Sequence, residues 1–431
     1  MIIARYVREH IDEIRESMKK RHSDYPIGEL LKLDEQSREL GNELQNLRAG
    51  RNKGSLEVAG LKKAEKDAGK EIERLAALKE KIEKMEAELP KYQERLDFLL
   101  MNMPNTLHES VPYGKESGEN VEVRKWGSPR KKSAANHADL LKKLGLLDLE
   151  KAAEVSGARF YYLKGDLALM EQALIRFTID MMLKKKFTLV APPLMIRKRY
   201  YRGATALGDF EEVLYKVSAP KEAEKKGLEQ MDEELFLIST SEHALAAMVS
   251  ETVYSPKEFP LKYLGVSPNF RREAGAHGKD TKGIFRVHQF YKVEQFVVCR
   301  PEDSWKIFEE LILNAEEIFR ALNLPYRVVN ICTGDIGIVA AKKYDLEVYM
   351  PSTGEYRELI SCSNCTDWQA LRLDIKYDDA GERKYAHTLN STASGSIERL
   401  IVAIVENYSN DDGTITVPDA LVSYMGKKMI G

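Results

Sequence analysis

The sequence predicts an α+β protein. An N-terminal antiparallel helical hairpin, a coiled-coil arm, should precede a domain built on a mostly antiparallel sheet flanked by helices. Leucines recur with heptad spacing over residues 29–99, and later segments mix strand and helix patterns without a regular β-α-β order. We therefore predict an N-terminal domain, a linker and a second domain, at residues 1–105, 106–127 and 128–431.

Heptad repeats define the predicted hairpin. One apolar series covers residues 30–47 and a second covers residues 61–99, after a shorter amphipathic pattern at residues 1–20. A segment rich in Gly, Asn and Ser, residues 49–60, separates the two series and is expected to be the loop. Pro90 should kink the second helix or end its straight part, because proline lacks an N–H group.

The hairpin carries a local excess of positive charge. Residues 48–70 contain seven Lys or Arg against three Asp or Glu, whereas residues 29–99 contain 15 and 16. Such an excess suits contact with nucleic-acid phosphates at the end of an arm. A dimerisation coiled coil is the alternative that heptads alone leave open. The basic residues expected at the arm tip are Arg48, Arg51, Lys53, Lys62, Lys63, Lys66 and Lys70.

Composition excludes several classes of protein. The 431 residues are 43% hydrophobic, which supports a substantial core and argues against global disorder. Four cysteines exclude a disulfide-stapled secreted scaffold. The first residues lack the apolar segment of a signal peptide, and no apolar stretch approaches the roughly 18–20 residues that cross a bilayer. We therefore expect a soluble, cytoplasmic protein, and the net charge of −2 argues against indiscriminate binding of nucleic acid.

Local patterns place the elements of the second domain. Helical spacing occurs at residues 165–186, 303–322 and 399–408, and β-branched runs occur at residues 188–191, 284–299 and 327–332. The Pro- and Gly-containing stretch that ends at Gly127 is typical of a linker.

The densest group of charged residues lies in a predicted hairpin of strands around residues 268–273 and 284–298. Alternation puts Arg271 and Glu273 on one face of the first strand. A face with so many charges cannot be dry core unless the charges are paired, so we interpret it as the floor of a site for a polyanionic ligand. An exposed ladder of salt bridges is the alternative. The second strand contributes Arg286, His288, Phe290, Lys292 and Glu294 to one face.

The residues Phe270-Arg271-Arg272-Glu273 resemble the second signature motif of class II aminoacyl-tRNA synthetases. The helical pattern at residues 171–186 leading to Val190 and Pro193 resembles the first motif, which builds the homodimer interface in that family. Matches to the seryl family follow in order along the chain: Pro104-Asn105, HESVP at 108–112, Thr240-Ser241-Glu242, RVHQFYKVE at 286–294, CTGD at 332–335, ELISCSN at 358–364, HTLN at 387–390, and Arg399 with Glu406-Asn407.

The resemblance implies a homodimeric ligase that forms seryl-adenylate from serine and ATP, releases pyrophosphate and transfers the seryl group to serine tRNA. The arm would grip the long variable arm of that tRNA. Charging of selenocysteine tRNA is left open. An arm-bearing paralogue that activates an amino acid for another acceptor, and an inactive tRNA-binding module, are the alternatives.

Site residues carry over by position. Arg271 and Arg399 are the expected catalytic residues, because they would stabilise charge on the reacting phosphates. The expected serine-binding residues are Thr240, Ser241, Glu242, Arg271, Glu294, Asn390 and Thr392. The expected ATP-binding residues are Arg271, Arg272, Glu273, Arg286, Val287, Phe290, Glu358, Leu359, Ile360, Ser361 and Arg399. Glu358 and Ser361 would also hold Mg²⁺.

Three departures from the family pattern leave questions open. The segment 391–398 is one residue longer than usual, so either Thr392 or Ala393 is the serine-contacting position. Ile360 stands where the family commonly has Ser, and Val422-Ser423 replace a usual Arg-Pro. Cys362-x-x-Cys365 supplies only half of a zinc site, and no zinc is expected.

Overall fold

A computed structural model describes residues 4–130, 135–206, 211–218, 234–273 and 282–431. The chain forms two compact units. The first consists of Met1–Lys19, as far as it is described, and Ser23–Met103. The second consists of Lys20–His22 and Pro104–Gly431.

The first unit is helical. It contains two short helices, α1 (Ala4–Glu9) and α2 (Ile11–Lys20), and two long ones, α3 (Ile27–Lys63) and α4 (Gly69–Asn102). The two long helices pack against each other as the predicted antiparallel hairpin. Their shared core contains Leu44, Ile82 and Met85.

The predicted loop at residues 49–60 was wrong. Helix α3 continues through it to Lys63, and the chain turns at residues 64–68 instead. Glycine is a poor helix former, but tertiary packing overrides that preference here. A Cβ atom at Gly54 would lie 2.9 Å from Cδ2 of Leu75 on α4, so the glycine permits close approach of the two helices. Pro90 lies inside α4, which continues to Asn102.

The continuation of α3 also separates the seven basic residues. Lys62 and Lys63 end α3, Lys66 lies in the turn and Lys70 begins α4. The other three, Arg48, Arg51 and Lys53, lie along α3, with Arg48 about 20 Å from its end at 1.5 Å per residue. Arg48 pairs with Glu86 across the hairpin at 2.6 Å.

The second unit is built on an eight-stranded sheet. Neighbouring strands are antiparallel, except for one parallel pair at one edge, formed by Thr188–Val190 and Leu261–Phe270. Across the sheet the strands are β1 (Val121–Trp126), β11 (Tyr326–Asn330), β12 (Lys342–Met350), β13 (Glu355–Asn364), β16 (His387–Ser396), β10 (Gln289–Cys299), β9 (Leu261–Phe270) and β4 (Thr188–Val190).

Strand β1 corrects the predicted linker, because residues 121–126 belong to the sheet. It is an edge strand that pairs with β11, and its residues are largely exposed. Edge strands are commonly polar, so the pattern of a buried strand is missing from the sequence. The short strands outside this sheet are β2 (Leu147–Asp148), β3 (Tyr162–Leu163), β5 (Met195–Arg197), β6 (Lys216–Val217), β7 (Leu235–Leu237), β8 (Thr252–Tyr254), β14 (Ile375–Asp379), β15 (Glu382–Tyr385), β17 (Ile415–Thr416) and β18 (Met429–Ile430).

Helices cover one face of the sheet. The described helices of this unit are α5 (His137–Lys143), α6 (Glu150–Ser156), α7 (Asp166–Leu183), α8 (Lys198–Ala204), α9 (Ser241–Met248), α10 (Ser304–Ala321), α11 (Trp368–Leu373), α12 (Ile397–Tyr408) and α13 (Asp419–Met425). The long helices α7, α10 and α12 pack on the central strands and share one apolar core with them. On the opposite face, α9 packs against β9 and β10 around Leu245, Phe296 and Val298, and the remaining part of that face is available for polar side chains. The predicted fold class is confirmed.

The strands that border the charged loop are shorter at that end than predicted. β9 ends at Phe270, and β10 begins at Gln289. Arg271 and Glu273 therefore follow their strand, and Arg286 and His288 precede theirs. Glu273 has a φ of 50°, which regular strand geometry does not allow. Residues 274–281, which continue the chain beyond this motif, lie outside the described part of the chain.

Candidate active site

Strand alternation builds a polar surface on the uncovered face of the sheet. Successive side chains of a strand point to opposite faces, so Lys292 and Glu294 of β10 share a face while Val293 lies in the core. Thr392 of β16 and Ser361 of β13 add hydroxyl groups to this surface. Helix α9 borders it with Thr240 and Glu242, and α12 begins beside it with Arg399.

The surface contains two adjoining cavities. The first encloses about 550 Å³ and the second about 1010 Å³, each partly open to solvent. The first is lined by Arg271, Glu273, Phe285, Arg286, Val287, Phe290, Lys292, Glu358, Leu359, Ser361, Thr392, Ser396 and Arg399. The second is lined by Thr240, Glu242, Arg271, Lys292, Glu294, Lys343, Glu358, Ser361, Ser363, Cys365, Asn390, Thr392, the loop 336–340 and neighbouring residues.

Arg271 lies where the two cavities meet, since it lines both. Its Nε donates to the carbonyl of Ser239 at 3.2 Å, and its guanidinium lies 5.2 Å from the ring centre of Phe290. A group in this position is able to contact two ligands, one in each cavity. Two further arginines line the first cavity, so this part of the site is suited to an anion.

Arg399 is held at the first cavity by backbone groups. Its Nε donates to the carbonyl of Phe285 at 3.2 Å, and its Nη1 donates to that of Glu358 at 3.0 Å. The backbone N–H of Arg399 donates to the hydroxyl of Ser396, the N-cap of α12, at 3.2 Å. On the other side of the cavity, Arg286 pairs with Glu273 at 2.9 Å. The first cavity therefore combines cationic and anionic side chains with the flat ring of Phe290. Such a combination suits a ligand that contains a base and phosphates.

The second cavity contains the half-buried carboxyl group of Glu242. Oε1 of Glu242 accepts hydrogen bonds from Gln369 at 2.8 Å and from Asn390 at 3.0 Å. Burial, reinforced by the negative charge of Glu294, raises the pKa of Glu242 to about 7. A positively charged ligand group beside Glu242 would stabilise the ionised form of this carboxylate, so the position favours binding of a cation.

The second cavity also holds a compact group around Glu294. Oε2 of Glu294 lies 2.6 Å from Nζ of Lys292 and accepts a hydrogen bond from the Thr392 hydroxyl at 3.1 Å. Lys292 in turn donates to the Thr240 hydroxyl at 3.1 Å. The side chain of Glu294 is 2% exposed, so these partners compensate the cost of burying it. A small ligand with a hydroxyl group finds both acceptors and donors here.

Glu358 and Ser361 line both cavities. Burial opposes ionisation of Glu358, but the charges of Lys343, Arg399, Arg271 and Arg286 outweigh it and lower its pKa. An ionised carboxylate and a hydroxyl are hard oxygen donors of the kind that Mg²⁺ prefers. Among the described residues, no group of three or more His, Cys, Asp or Glu is placed to hold a metal ion.

Comparison with known proteins, along the whole chain, gives the family that the sequence motifs resemble. Residues 1–107 match the seryl-tRNA synthetase N-terminal domain, and residues 215–408 match the tRNA synthetase class II core domain (G, H, P, S and T). The chain is 46% identical to the serine–tRNA ligase of Thermococcus sibiricus, over 100% of the chain and 97% of that protein. It is 46% identical to that of Methanospirillum hungatei, over 99% of each.

A solved structure agrees. The seryl-tRNA synthetase of Pyrococcus horikoshii, crystallised with ATP, is 43% identical, superimposes with a TM-score of 0.89 and is matched over 99% of its length by 100% of this chain. The chain belongs to the serine–tRNA ligase family. The predicted resemblance is thereby confirmed.

Most of the predicted serine- and ATP-binding residues lie around the two cavities, but three do not. Arg272 is exposed, and among the described residues its backbone N–H pairs with the carbonyl of Val213. The hydroxyl of Ser241 donates to the carbonyl of Gly265 at 3.4 Å and is buried against it. Ile360 is fully buried in the core on the opposite face of the sheet.

Ile360 illustrates why the alternation of β13 matters. Leu359 and Ser361 line the first cavity while Ile360 between them points into the core. A bulge in the pairing with β12 then brings Glu358 to the same side. The departure of Ile360 from the serine–tRNA ligase pattern therefore changes core packing, and any contact it makes in the cavity is through its backbone.

The register of β16 fixes where Thr392 and Ala393 point, and a second bulge follows Thr392. Between β10 and β16, Lys292 is opposite Ser396 while Glu294 is opposite Thr392, so β16 carries extra residues at 393–395. Gly395 has a φ of 84° there, and a Cβ on it would lie 2.9 Å from the Leu359 carbonyl. This bulge lies in the segment that is one residue longer than the family pattern. Thr392 lines both cavities, whereas Ala393 is buried in the core.

Sequence reasoning missed several residues of the second cavity. The loop 336–340 and Lys343 line it, and Gln369 lies behind it and donates to Glu242; none of these segments has a motif that would mark a site. Lys343 and Asp345 share one face of β12 and pair at 3.2 Å. Strand alternation is therefore the one sequence pattern that could have indicated Lys343.

The cysteines and two histidines have structural surroundings. Cys362 and Cys365 are buried thiols, and burial raises the pKa of both, which disfavours the thiolate that metals bind. His288 shares a hydrogen bond of 2.7 Å with the Tyr215 hydroxyl, and His387 shares one of 2.9 Å with Ser304. Within the described ranges, none of the helices has the length and apolar character that a membrane crossing requires.

Proposed function

We propose that this chain activates L-serine with ATP and transfers the seryl group to serine tRNA. Arg271 is the observation that carries the proposal, because it joins a cavity suited to a nucleotide to a cavity suited to a small amino acid. The serine carboxylate and the α-phosphate of ATP would meet at this side chain. Membership of the serine–tRNA ligase family supports the same assignment.

In the first step, a serine carboxylate oxygen attacks the α-phosphorus and forms a new P–O bond. The bond from that phosphorus to the bridging oxygen breaks, and pyrophosphate leaves with the electron pair. Arg271 stabilises the negative charge that builds up, while Arg399 and Arg286 hold the outer phosphates. In the second step, the 3′ end of the tRNA attacks the seryl carbonyl and AMP leaves.

The second cavity supplies serine recognition. Glu242 and Thr240 would receive the ammonium group, and Glu294, held by Thr392 and Lys292, would accept from the side-chain hydroxyl. Alanine lacks that hydroxyl, so its binding would leave buried polar groups unpaired. This polar recognition accounts for selectivity without a covalent intermediate.

The first cavity supplies nucleotide recognition. Phe290 would stack on the adenine, Glu273 would accept from its amino group and Arg399 would cover the other side. Val287 and Leu359 add apolar surface. Glu358 and Ser361 would hold Mg²⁺, which supplies charge neutralisation for the phosphates when it is bound.

The assembly expected for this function includes a second copy of the chain and the tRNA. Leu169 and Leu183 of α7 and Leu189 of the edge strand β4 are exposed apolar residues, which supports a homodimer through this region. The basic residues of the hairpin turn support contact with the long variable arm of serine tRNA. The cytoplasm is the proposed location, which the four free thiols support.

Serine-dependent exchange of pyrophosphate into ATP tests the proposal. We expect exchange with serine and much weaker exchange with alanine; no exchange with serine, or equal exchange with alanine, would overturn it. Deleting residues 35–90 should spare this exchange and abolish charging of serine tRNA. Exchange without charging by the intact chain would favour the paralogue with another acceptor, and tRNA binding without exchange would favour the inactive module.

A further inference from the structure

One wall of the second cavity is an irregular loop. Residues 336–340 line the cavity opposite the strands that carry Glu294 and Thr392. The loop joins β11 to β12 and forms neither helix nor strand. Its backbone carbonyls therefore have no partners within a helix or strand, and those shielded from solvent need hydrogen-bond donors from elsewhere.

Arg21 supplies two of these donors. Its Nη1 donates to the carbonyl of Gly337, and its Nη2 donates to that of Ala340 at 2.8 Å. Its Nε donates to the carbonyl of Asn105 at 2.9 Å. Arg21 is only 8% exposed, and burial lowers its pKa to about 10. A buried cation of this kind is tolerated when its donors have partners, and here all three nitrogens hold backbone oxygens.

Asn105 supplies the donors for the two carbonyls between. Its backbone N–H donates to Ile338 at 2.7 Å, and its Nδ2 donates to Val339 at 2.9 Å. The same Nδ2 lies 2.8 Å from the carbonyl of Cys365. Four successive carbonyls of the wall, from 337 to 340, thus depend on two side chains and one backbone N–H.

The Asn105 contacts reach a second part of the cavity. Cys365 lines it, and its sulfur accepts a hydrogen bond from Asn390 at 3.4 Å. Asn390 is one of the two donors that hold Glu242. Displacement of Asn105 would therefore disturb both the wall and the position of the Glu242 carboxyl group.

Both residues lie at the edges of the catalytic unit in the sequence. The three residues Lys20–His22 belong to the second unit, although the chain on both sides of them belongs to the first. The remainder of the second unit begins at Pro104. Arg21 and Asn105 lie outside residues 128–431, the predicted second domain, which contains all the predicted serine- and ATP-binding residues. Their contacts with the loop are all inside the second unit.

We propose that Arg21 and Asn105 are positioning residues for the amino-acid cavity, which hold the wall at 337–340 and thereby set the affinity for serine. The inference rests on the proposed function, because it takes serine as the occupant of the second cavity. Neither residue lines the first cavity, so the affinity for ATP should be independent of them.

The test measures pyrophosphate exchange by the full chain, with serine and ATP varied separately. In Arg21→Ala and Asn105→Ala, the KM for serine should rise about tenfold or more, because each change removes two or more buried hydrogen bonds. The KM for ATP should stay within about twofold. Arg21→Lys keeps the buried charge without the fork and should raise the KM for serine about threefold.

Controls use the same residue types at exposed or half-buried positions that are close to Arg21 and Asn105 in the sequence. Arg15→Ala on α2 and Asn102→Ala at the end of α4 should leave both KM values within about twofold of the unmodified chain. Circular dichroism establishes that each variant is folded, and calorimetric titration of serine provides a second measure of its affinity.

Two results would overturn the inference. One is an unchanged KM for serine in folded Arg21→Lys and Asn105→Ala chains; the other is an equal rise in both KM values, which would indicate a general structural role. Absence of serine-dependent exchange in the unmodified chain would instead overturn the proposed function, so the two failures are distinguishable.

Discussion

The hydroxyl of Thr392 donates a hydrogen bond to Oε2 of Glu294 at 3.1 Å. The two residues are directly opposite each other in the regular part of the β10–β16 ladder, next to the bulge at 393–395, and alternation puts Thr392 at the cavity and Ala393 in the core. The hydrogen bond gives Glu294 a second partner besides Lys292 and orients the carboxylate that would read the serine hydroxyl.

Replacing Thr392 by valine should weaken serine binding. Valine has nearly the same shape but cannot donate, so one hydrogen bond to a buried carboxylate is lost, at about 1.5–3 kcal/mol. We expect the KM for serine to rise about tenfold, with the KM for ATP little changed. Thr392→Ser keeps the hydroxyl and should stay near the unmodified value; a similar loss in both variants would argue that shape, and not the hydrogen bond, is decisive.

Arg271 and Arg272 form a matched pair of neighbours. Arg271 lines both cavities, whereas Arg272 is exposed. In the exchange assay, Arg271→Ala should lower kcat/KM about 100- to 1000-fold, the usual cost of losing one group that stabilises developing charge. Arg272→Ala should have an effect of about twofold or less. Equal losses would mean that Arg272 reaches the nucleotide after all.

The turn of the hairpin should carry most of the electrostatic contact with tRNA. Exchanging Lys62, Lys63, Lys66 and Lys70 for Gln should weaken tRNA charging and make it less dependent on salt, with about one unit of log–log slope lost for each phosphate contact removed. Serine activation should be unaffected. Arg48→Gln is the control, because Arg48 already pairs with Glu86 and lies about 20 Å along the helix. A larger effect from Arg48 would place the contact on the shaft of the arm.

The buried carboxyl group of Glu398 should make the free energy of unfolding of this chain depend on pH. Burial raises the pKa of this carboxyl group from 4.5 to about 8. It accepts hydrogen bonds from the Tyr161 hydroxyl and the backbone N–H of Tyr291. Because the folded pKa is the higher one, the folded chain binds the proton more tightly, and this contribution to stability is complete below about pH 4.5 and is lost as pH rises through about 8.

Urea unfolding from pH 5 to pH 9 checks this prediction. The unmodified chain should lose stability relative to Glu398→Gln as pH rises, by on the order of a few kcal/mol in total, because glutamine remains neutral. The difference between the two chains, and not either curve alone, is the measured quantity, since other groups titrate in both. A constant difference across this range would contradict the raised pKa.

Periodicity alone determined much of this protein. Heptads predicted the paired helices, and strand alternation placed Lys292, Glu294 and Phe290 on one face. The motif around Arg271 and the spacing of later motifs predicted the family and most residues of the first cavity, but fewer than half of those that line the second. These features depend on neighbours in sequence, or on residue types that the chemistry itself requires, and a single sequence displays both.

The tertiary structure alone decided where the chain turns and which side chains enter the site. Helix α3 passes through Gly54 because Leu75 of the other helix packs there, and Ile360 faces the core because its strand pairs with a bulge. The wall at 336–340 depends on Arg21 and Asn105, which lie more than 200 residues away in sequence. Such contacts between distant segments follow from packing and from the need to satisfy backbone groups, and no local pattern encodes them.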